Sequence, residues 1–128
     1  MKSKIVILIL LILCTACLTN LFGQTDEFTP EKSFDSLFKQ VNICFKKRDL
    51  TSAKMVIQSM DSLTGIYWGK NSSQYSLVTY NKAIYAYYKG SLTESMEGFE
   101  SAMKLRKQLY GEKDEYFYKS LSLSLIHI

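Results

Sequence analysis

The chain is poor in the residues that catalytic and metal sites use most. Its 128 residues include one histidine, His127, one proline and one tryptophan. Because His127 lies in the last six residues, which we interpret below as a non-native tail, we expect neither a histidine-based catalytic triad nor a typical zinc site. The sequence also contains neither a G-x-G-x-x-G turn nor a phosphate-binding P-loop. These absences argue against an enzyme, and we expect the protein to act without a catalytic residue, cofactor or metal ion.

Cysteine is scarce as well, with three residues in the whole chain. Cys14 and Cys17 lie in the apolar N-terminal stretch, so a processed chain would keep Cys44 alone. One cysteine cannot form an intramolecular disulfide, even in an oxidising compartment. Because Cys44 stands between two apolar residues of a predicted helix, we expect a buried, unreactive thiol.

The N-terminus predicts export. A basic start, residues 1–4, precedes the unbroken apolar run 5–13, which is too short to span a bilayer of ~30 Å. We interpret residues 1–23 as a signal peptide cleaved after Gly23, followed by a short linker at 24–30. The protein would then be periplasmic or secreted.

Two other interpretations of the same stretch stay open. Small residues before Cys17 resemble a bacterial lipoprotein signal, in which this cysteine would be acylated. The apolar run could also remain as an uncleaved anchor. We expect contact with a membrane only if Cys17 is lipidated.

The charge pattern argues against a nucleic-acid partner. Removal of residues 1–23 takes away Lys2 and Lys4 and leaves 14 basic residues of the original 16, against 12 acidic ones. Charges of both signs are interspersed, whereas nucleic-acid modules carry a basic stripe or a pI above ~9. The single basic triplet, 46–48, falls at a predicted helix end, where the helix dipole favours cations.

Apolar residues recur at helical spacing along the rest of the chain, and no strand-like alternation occurs. Phe34, Leu37, Phe38 and Val41 follow the i, i+3, i+4, i+7 rule. Turn-forming residues interrupt this pattern at regular places. The spacing predicts an all-α protein with helices at 31–47, 50–67, 74–89, 92–110 and from 115 onward.

The sequence also repeats itself at an offset of 42 residues. Residues 49–69 align without a gap on residues 91–111, so that Trp68-Gly69 falls on Tyr110-Gly111. A period of this length is typical of stacked supersecondary units, none of which can bury its apolar face alone. Short turns make successive helices antiparallel, so each unit is predicted to be a helical hairpin.

The second unit, from Asn81-Lys82-Ala83 through Gly90 to Phe99, resembles a tetratricopeptide repeat. The stretch 104–111 is similar to the extended second helix and closing glycine of the long subtype found in kinesin light chains. The resemblance covers residues 31–122 and implies a right-handed α-solenoid with two full repeats and a partial third. Its implied packing positions are Val41, Ala53, Ile57 and Met60, then Ala83, Gly90, Phe99 and Ala102, with Arg48 replacing the turn glycine in the first repeat.

The resemblance implies that the protein binds another protein or a peptide. In this family the first helix of each hairpin lines a concave groove. The matching positions are Asn42 and Lys46 in the first hairpin and Asn81, Tyr85 and Tyr88 in the second. Asn81 matches a position that commonly reaches the backbone of a ligand, and an asparagine amide can both donate and accept there.

Two clusters with potential chemistry are better explained by structure. Glu94, Glu97 and Glu100 share part of a helix face, which predicts a solvated surface. The tyrosines near residues 80–88 are typical of repeat packing, although tyrosine is also a frequent anchor of partner binding. We therefore expect a non-catalytic interaction scaffold. The alternative is the sensory repeat region of a longer enzyme, a caspase-like protease or a histidine kinase, whose catalytic part is missing.

The last six residues, 123–128, are out of phase with the repeat. They read as the translation of a transposon end used to prepare sequencing libraries. We interpret them as a non-native tail, with the native sequence ending near Ser122 in a longer protein; a natural apolar C-terminus is the alternative.

Overall fold

The computed structural model describes residues 4–9 and 27–111. Within these residues the chain is helical and contains no strand, which confirms the predicted all-α class. Besides a helical segment at 4–9, there are four long helices, each within one residue of its predicted bounds: α1 (Pro30–Lys46), α2 (Leu50–Tyr67), α3 (Ser73–Tyr88) and α4 (Leu92–Tyr110).

Several predictions fall outside the described residues. The proposed cleavage site at Gly23, the lipidation site at Cys17, the helix from 115 onward and the tail 123–128 all lie there. So does His127.

Side-chain caps determine where three of the helices begin. Thr29 accepts a hydrogen bond from the Lys32 N–H before α1, and Ser72 accepts one from the Tyr75 N–H before α3. At the start of α2, Asp49 Oδ1 accepts from the Ser52 N–H at 3.1 Å. Hydrogen bonds from the Ser52 side chain and backbone lower the pKa of Asp49. Asp49 is therefore a charged cap at neutral pH.

Helices α3 and α4 form an antiparallel hairpin with close backbone contact. Arg106 near the end of α4 donates to Ser76 near the start of α3, whereas Ser95 near the start of α4 donates to the Ala83 carbonyl at 2.9 Å. The helices approach closely at Gly98, where an added Cβ would lie 2.8 Å from the Ala83 Cβ. Only very small residues fit at this crossing.

Helices α1 and α2 form the first hairpin. The Phe34 ring packs edge-on against Trp68 with ring centroids 5.7 Å apart. Helix α3 covers this hairpin and contributes Val78 to its core. The core cluster contains buried residues of all three helices: Phe34, Val41, Phe45, Ala53, Ile57, Met60 and Val78.

The residues assigned to repeat packing are located in the interior or at a turn. Seven of them, Val41, Ala53, Ile57, Met60, Ala83, Phe99 and Ala102, are at most 5% exposed. The eighth, Gly90, lies in the turn between α3 and α4 with a φ of +86°.

Candidate partner-binding surface

The described residues contain no candidate metal-binding cluster. No group of three histidine, cysteine or acidic side chains is positioned to hold a metal ion within residues 4–9 and 27–111. Glu94, Glu97 and Glu100 are exposed along α4, as expected of a solvated face. Cys44 is a free thiol and is half-buried rather than fully buried.

Three of the five predicted partner contacts, Asn42, Lys46 and Tyr88, are exposed at the surface. Asn42 and Lys46 are exposed and stand one helical turn apart on α1. Tyr88, at the end of α3, is 36% exposed. Its ring stacks on Phe45 of α1, with centroids 5.7 Å apart and planes inclined by 28°. Tyr88 therefore lies next to the segment of α1 that carries Lys46.

Asn81 lies elsewhere, inside the protein. It is 1% exposed, and its Nδ2 donates to the Leu77 carbonyl one turn earlier in α3. Its Oδ1 is buried without a hydrogen-bond partner. Because Leu77 and Val78 pack on the core of the first hairpin, Asn81 on the same face is enclosed with them. The expectation that Asn81 reaches a ligand is not met by this geometry.

The buried amide of Asn81 gives a stability prediction. Leaving a carbonyl oxygen buried and unpaired costs ~1–3 kcal/mol, and leucine has the same branched shape without the polar atoms. We therefore expect Asn81→Leu to raise the free energy of unfolding by about 1 kcal/mol in urea denaturation. The matched control is Asn42→Leu, at an exposed position of α1. It should change the free energy of unfolding by less than ~0.5 kcal/mol. A loss of stability in Asn81→Leu would contradict the burial argument.

Tyr85 lines a cavity that none of the other predicted contacts lines. With Lys54, Ile57, Gln58, Lys82 and Glu94 it lines a cavity of about 200 Å³ between α2, α3 and α4. Asn42 and Lys46 of α1 do not line this cavity. The five predicted residues thus do not form one surface.

The structure adds two residues to the surface around Tyr88 that sequence reasoning did not select. The Tyr87 ring, 43% exposed, lies 5.6 Å from the Tyr88 ring. The Arg48 guanidinium lies over the Tyr88 ring, 5.2 Å from its centroid. We call Phe45, Arg48, Tyr87 and Tyr88 the aromatic rim. The only sequence signal for Arg48 was its place in the repeat, where the second hairpin has Gly90.

Exposed apolar residues also occur on α2. Met55 is 65% and Ile66 is 74% exposed, and both line a shallow depression. The other residues that line it are Gln58, Ser59, Ser62 and Leu63. This surface lacks the aromatic rings and cations that usually anchor a protein partner, so the aromatic rim is the stronger candidate.

A scan against protein-family models and searches of curated proteins and solved structures found no match to this chain. Among the described helices, none combines the length and the apolar character needed to cross a bilayer.

Proposed function

We propose that this chain is a non-catalytic scaffold that binds another protein through the aromatic rim and the adjoining face of α1. The observation that carries this proposal is the stack of Tyr88 on Phe45, with Arg48 over the Tyr88 ring and Tyr87 exposed beside it. Tyrosine and arginine are the residues that most often dominate binding energy at protein interfaces.

We further propose that the two hairpins are consecutive repeats of a right-handed, tetratricopeptide-like solenoid. Burial repeats with the sequence offset of 42: Val41 and Ala83 are both buried, as are Ile57 and Phe99. The turn positions Arg48 and Gly90 both have positive φ. Equivalent positions in the two hairpins thus have equivalent environments, which supports a structural repeat.

The exceptions to this equivalence also fit a stack. Val78 and Asn81 on α3 are buried, whereas their equivalents on α1, Ser36 and Lys39, are exposed. Helix α3 packs on the preceding hairpin, while no described helix covers that face of α1. A polar face at this place is what a terminal repeat of a solenoid needs.

Export belongs to the proposal and is supported by the sequence alone. The basic start and the apolar run 5–13 have the arrangement of a secretory signal. We propose a periplasmic or secreted protein, and acylation at Cys17 would instead anchor it to a membrane.

The binding proposal can be tested by affinity capture with two matched double variants. Wild-type protein, Tyr87→Ala/Tyr88→Ala and Met55→Ala/Ile66→Ala are immobilised and incubated with an extract of the source cells. Each variant removes two exposed large side chains, but only the first pair belongs to the aromatic rim. We expect wild type and the α2 variant to retain the same proteins, and the tyrosine variant to lose them.

Equal retention by the tyrosine variant would contradict the proposal. Loss of the partners by the Met55/Ile66 variant alone would move the binding surface to α2. Circular dichroism of each variant checks that the helices are intact before capture is compared.

A further inference from the structure

The two hairpin turns next to the aromatic rim carry a cluster of cations. Lys46, Lys47 and Arg48 stand at the turn between α1 and α2, and Lys89 stands at the turn between α3 and α4. All four side chains belong to exposed residues. Within residues 27–111 none of them forms an ion pair.

Arg48 holds its position at a cost in backbone energy. Its φ is +58°, in the left-handed region, and it is the only residue other than glycine with a positive φ in the described chain. For a side chain other than glycine this conformation is sterically unfavourable. The equivalent position of the second hairpin avoids that cost with Gly90. The turn itself uses this conformation to end α1, because the Asp49 N–H donates to the Cys44 carbonyl at 2.9 Å. The sequence nevertheless has arginine at this position, where glycine would fit without strain.

The Arg48 side chain lies over the Tyr88 ring. The guanidinium lies 5.2 Å from the ring centroid, and Tyr88 in turn stacks on Phe45. Lys89 is held in a similar way, with Nζ 5.7 Å from the Tyr85 centroid. Two cations from two different turns are therefore seated on tyrosines that lie one helical turn apart on α3.

The chemistry of these cations suits carboxylates. A guanidinium that stacks on a ring keeps the N–H groups at its edge free to donate, and these match the two oxygens of a carboxylate. Two acidic residues, Asp49 and Glu94, begin the helices that follow the same turns. These carboxylates confine the cationic patch to the two turns, so that it is small enough for a short acidic peptide rather than for the extended phosphate array of a membrane surface or a nucleic acid.

We propose that the protein partner presents an acidic segment, whose carboxylates bind Arg48 at the aromatic rim and Lys89, which directly follows Tyr88 in the chain. This inference rests on the proposed function and specifies the chemistry of its partner. Arg48 is the main contact, since its guanidinium lies over the Tyr88 ring at the aromatic rim.

A fluorescein-labelled oligoglutamate peptide tests this on the full chain by fluorescence anisotropy. We expect binding that weakens about tenfold in Arg48→Gly, as for loss of one charge-assisted contact, and that also weakens in Lys89→Gln. Glycine is the residue that the second hairpin has at this position, so Arg48→Gly should keep the fold; a thermal melt verifies this.

The matched control is Lys70→Gln. Lys70 is exposed in the turn between α2 and α3, at the far end of α2, which is roughly 27 Å long. Removing its charge should change the affinity by less than about twofold. Labelled oligoglutamine, which has the same length without charge, should not bind.

Three outcomes would overturn the inference. The first is equal binding of oligoglutamate by wild type and Arg48→Gly. The second is an equal loss in Lys70→Gln, which indicates attraction by overall charge. The third is Arg48-dependent binding to phosphatidylserine vesicles without binding to oligoglutamate. If oligoglutamate fails while the aromatic rim still captures proteins, the scaffold proposal stands and the acidic partner is wrong; if capture fails as well, the scaffold proposal is wrong.

Discussion

Phe99→Ala is expected to destabilise the protein by more than truncation of any other fully buried side chain among the described residues. Phe99 is 1% exposed and is the largest fully buried side chain in the described part of the molecule. Its ring packs edge-on against Tyr80, with centroids 5.6 Å apart, and so joins α4 to α3. Truncation of a buried phenylalanine costs ~3–5 kcal/mol, because favourable transfer energy is lost and a cavity is left behind.

Urea denaturation followed by circular dichroism measures this loss. Small domains have only ~5–15 kcal/mol of total stability, so Phe99→Ala should move the transition to much lower urea or leave no cooperative transition. Leu109→Ala on the same helix removes a side chain that is 38% exposed and should have a far smaller effect. If the two variants lose similar amounts of unfolding free energy, Phe99 does not lie in the core of the second hairpin.

The position of Phe99 illustrates what could be predicted from the sequence. Apolar residues at helical spacing indicate which face of a helix is buried. The offset of 42 residues pairs Phe99 with Ile57, so that the same buried face is predicted in both hairpins. Helix bounds were predictable because Asp49 and Ser72 are good caps and because glycines close the long helices. Gly69 and Gly111 both have positive φ, as expected.

The candidate surface was harder to predict because α3 packs on more than one neighbour. Asn81, Tyr85 and Tyr88 follow one another at spacings of four and three residues, which places them on similar sides of α3. In the structure Tyr85 lines a cavity with α2, Asn81 is enclosed, and Tyr88 stacks on Phe45 of α1. A rotation of a few tens of degrees separates these environments, and a single sequence does not define helix rotation that finely.

Arg48 was missed for a different reason. In the sequence it is part of a basic triplet at a helix end, where cations are ordinary and mostly solvated. Its significance depends on a backbone angle and on a ring 40 residues later in the chain, Tyr88. Neither can be inferred from the local sequence pattern. The repeat alignment shows only that Arg48 stands where the second hairpin has Gly90.

The second large effect is expected from Ala83→Leu, at the crossing of α3 and α4. Ala83 is 1% exposed, and its Cβ already lies where a Cβ on Gly98 would approach to 2.8 Å. Its carbonyl accepts the hydrogen bond of Ser95, which ties the two helices together at 2.9 Å. Three more carbon atoms therefore cannot be accommodated without separating the helices. Overpacking of this kind costs ~1–3 kcal/mol, measured as a lower urea midpoint.

A pair of reciprocal substitutions distinguishes steric overlap at this crossing from a general intolerance of change. Gly98→Ala alone adds one methyl group against Ala83 and should destabilise, even though alanine is the better helix former by ~1 kcal/mol. Ala83→Gly with Gly98→Ala moves the methyl group from one helix to the other and should recover most of the stability that Gly98→Ala loses. If Gly98→Ala instead stabilises the protein, the helices are not in contact at this point, and the close crossing described for α3 and α4 is wrong.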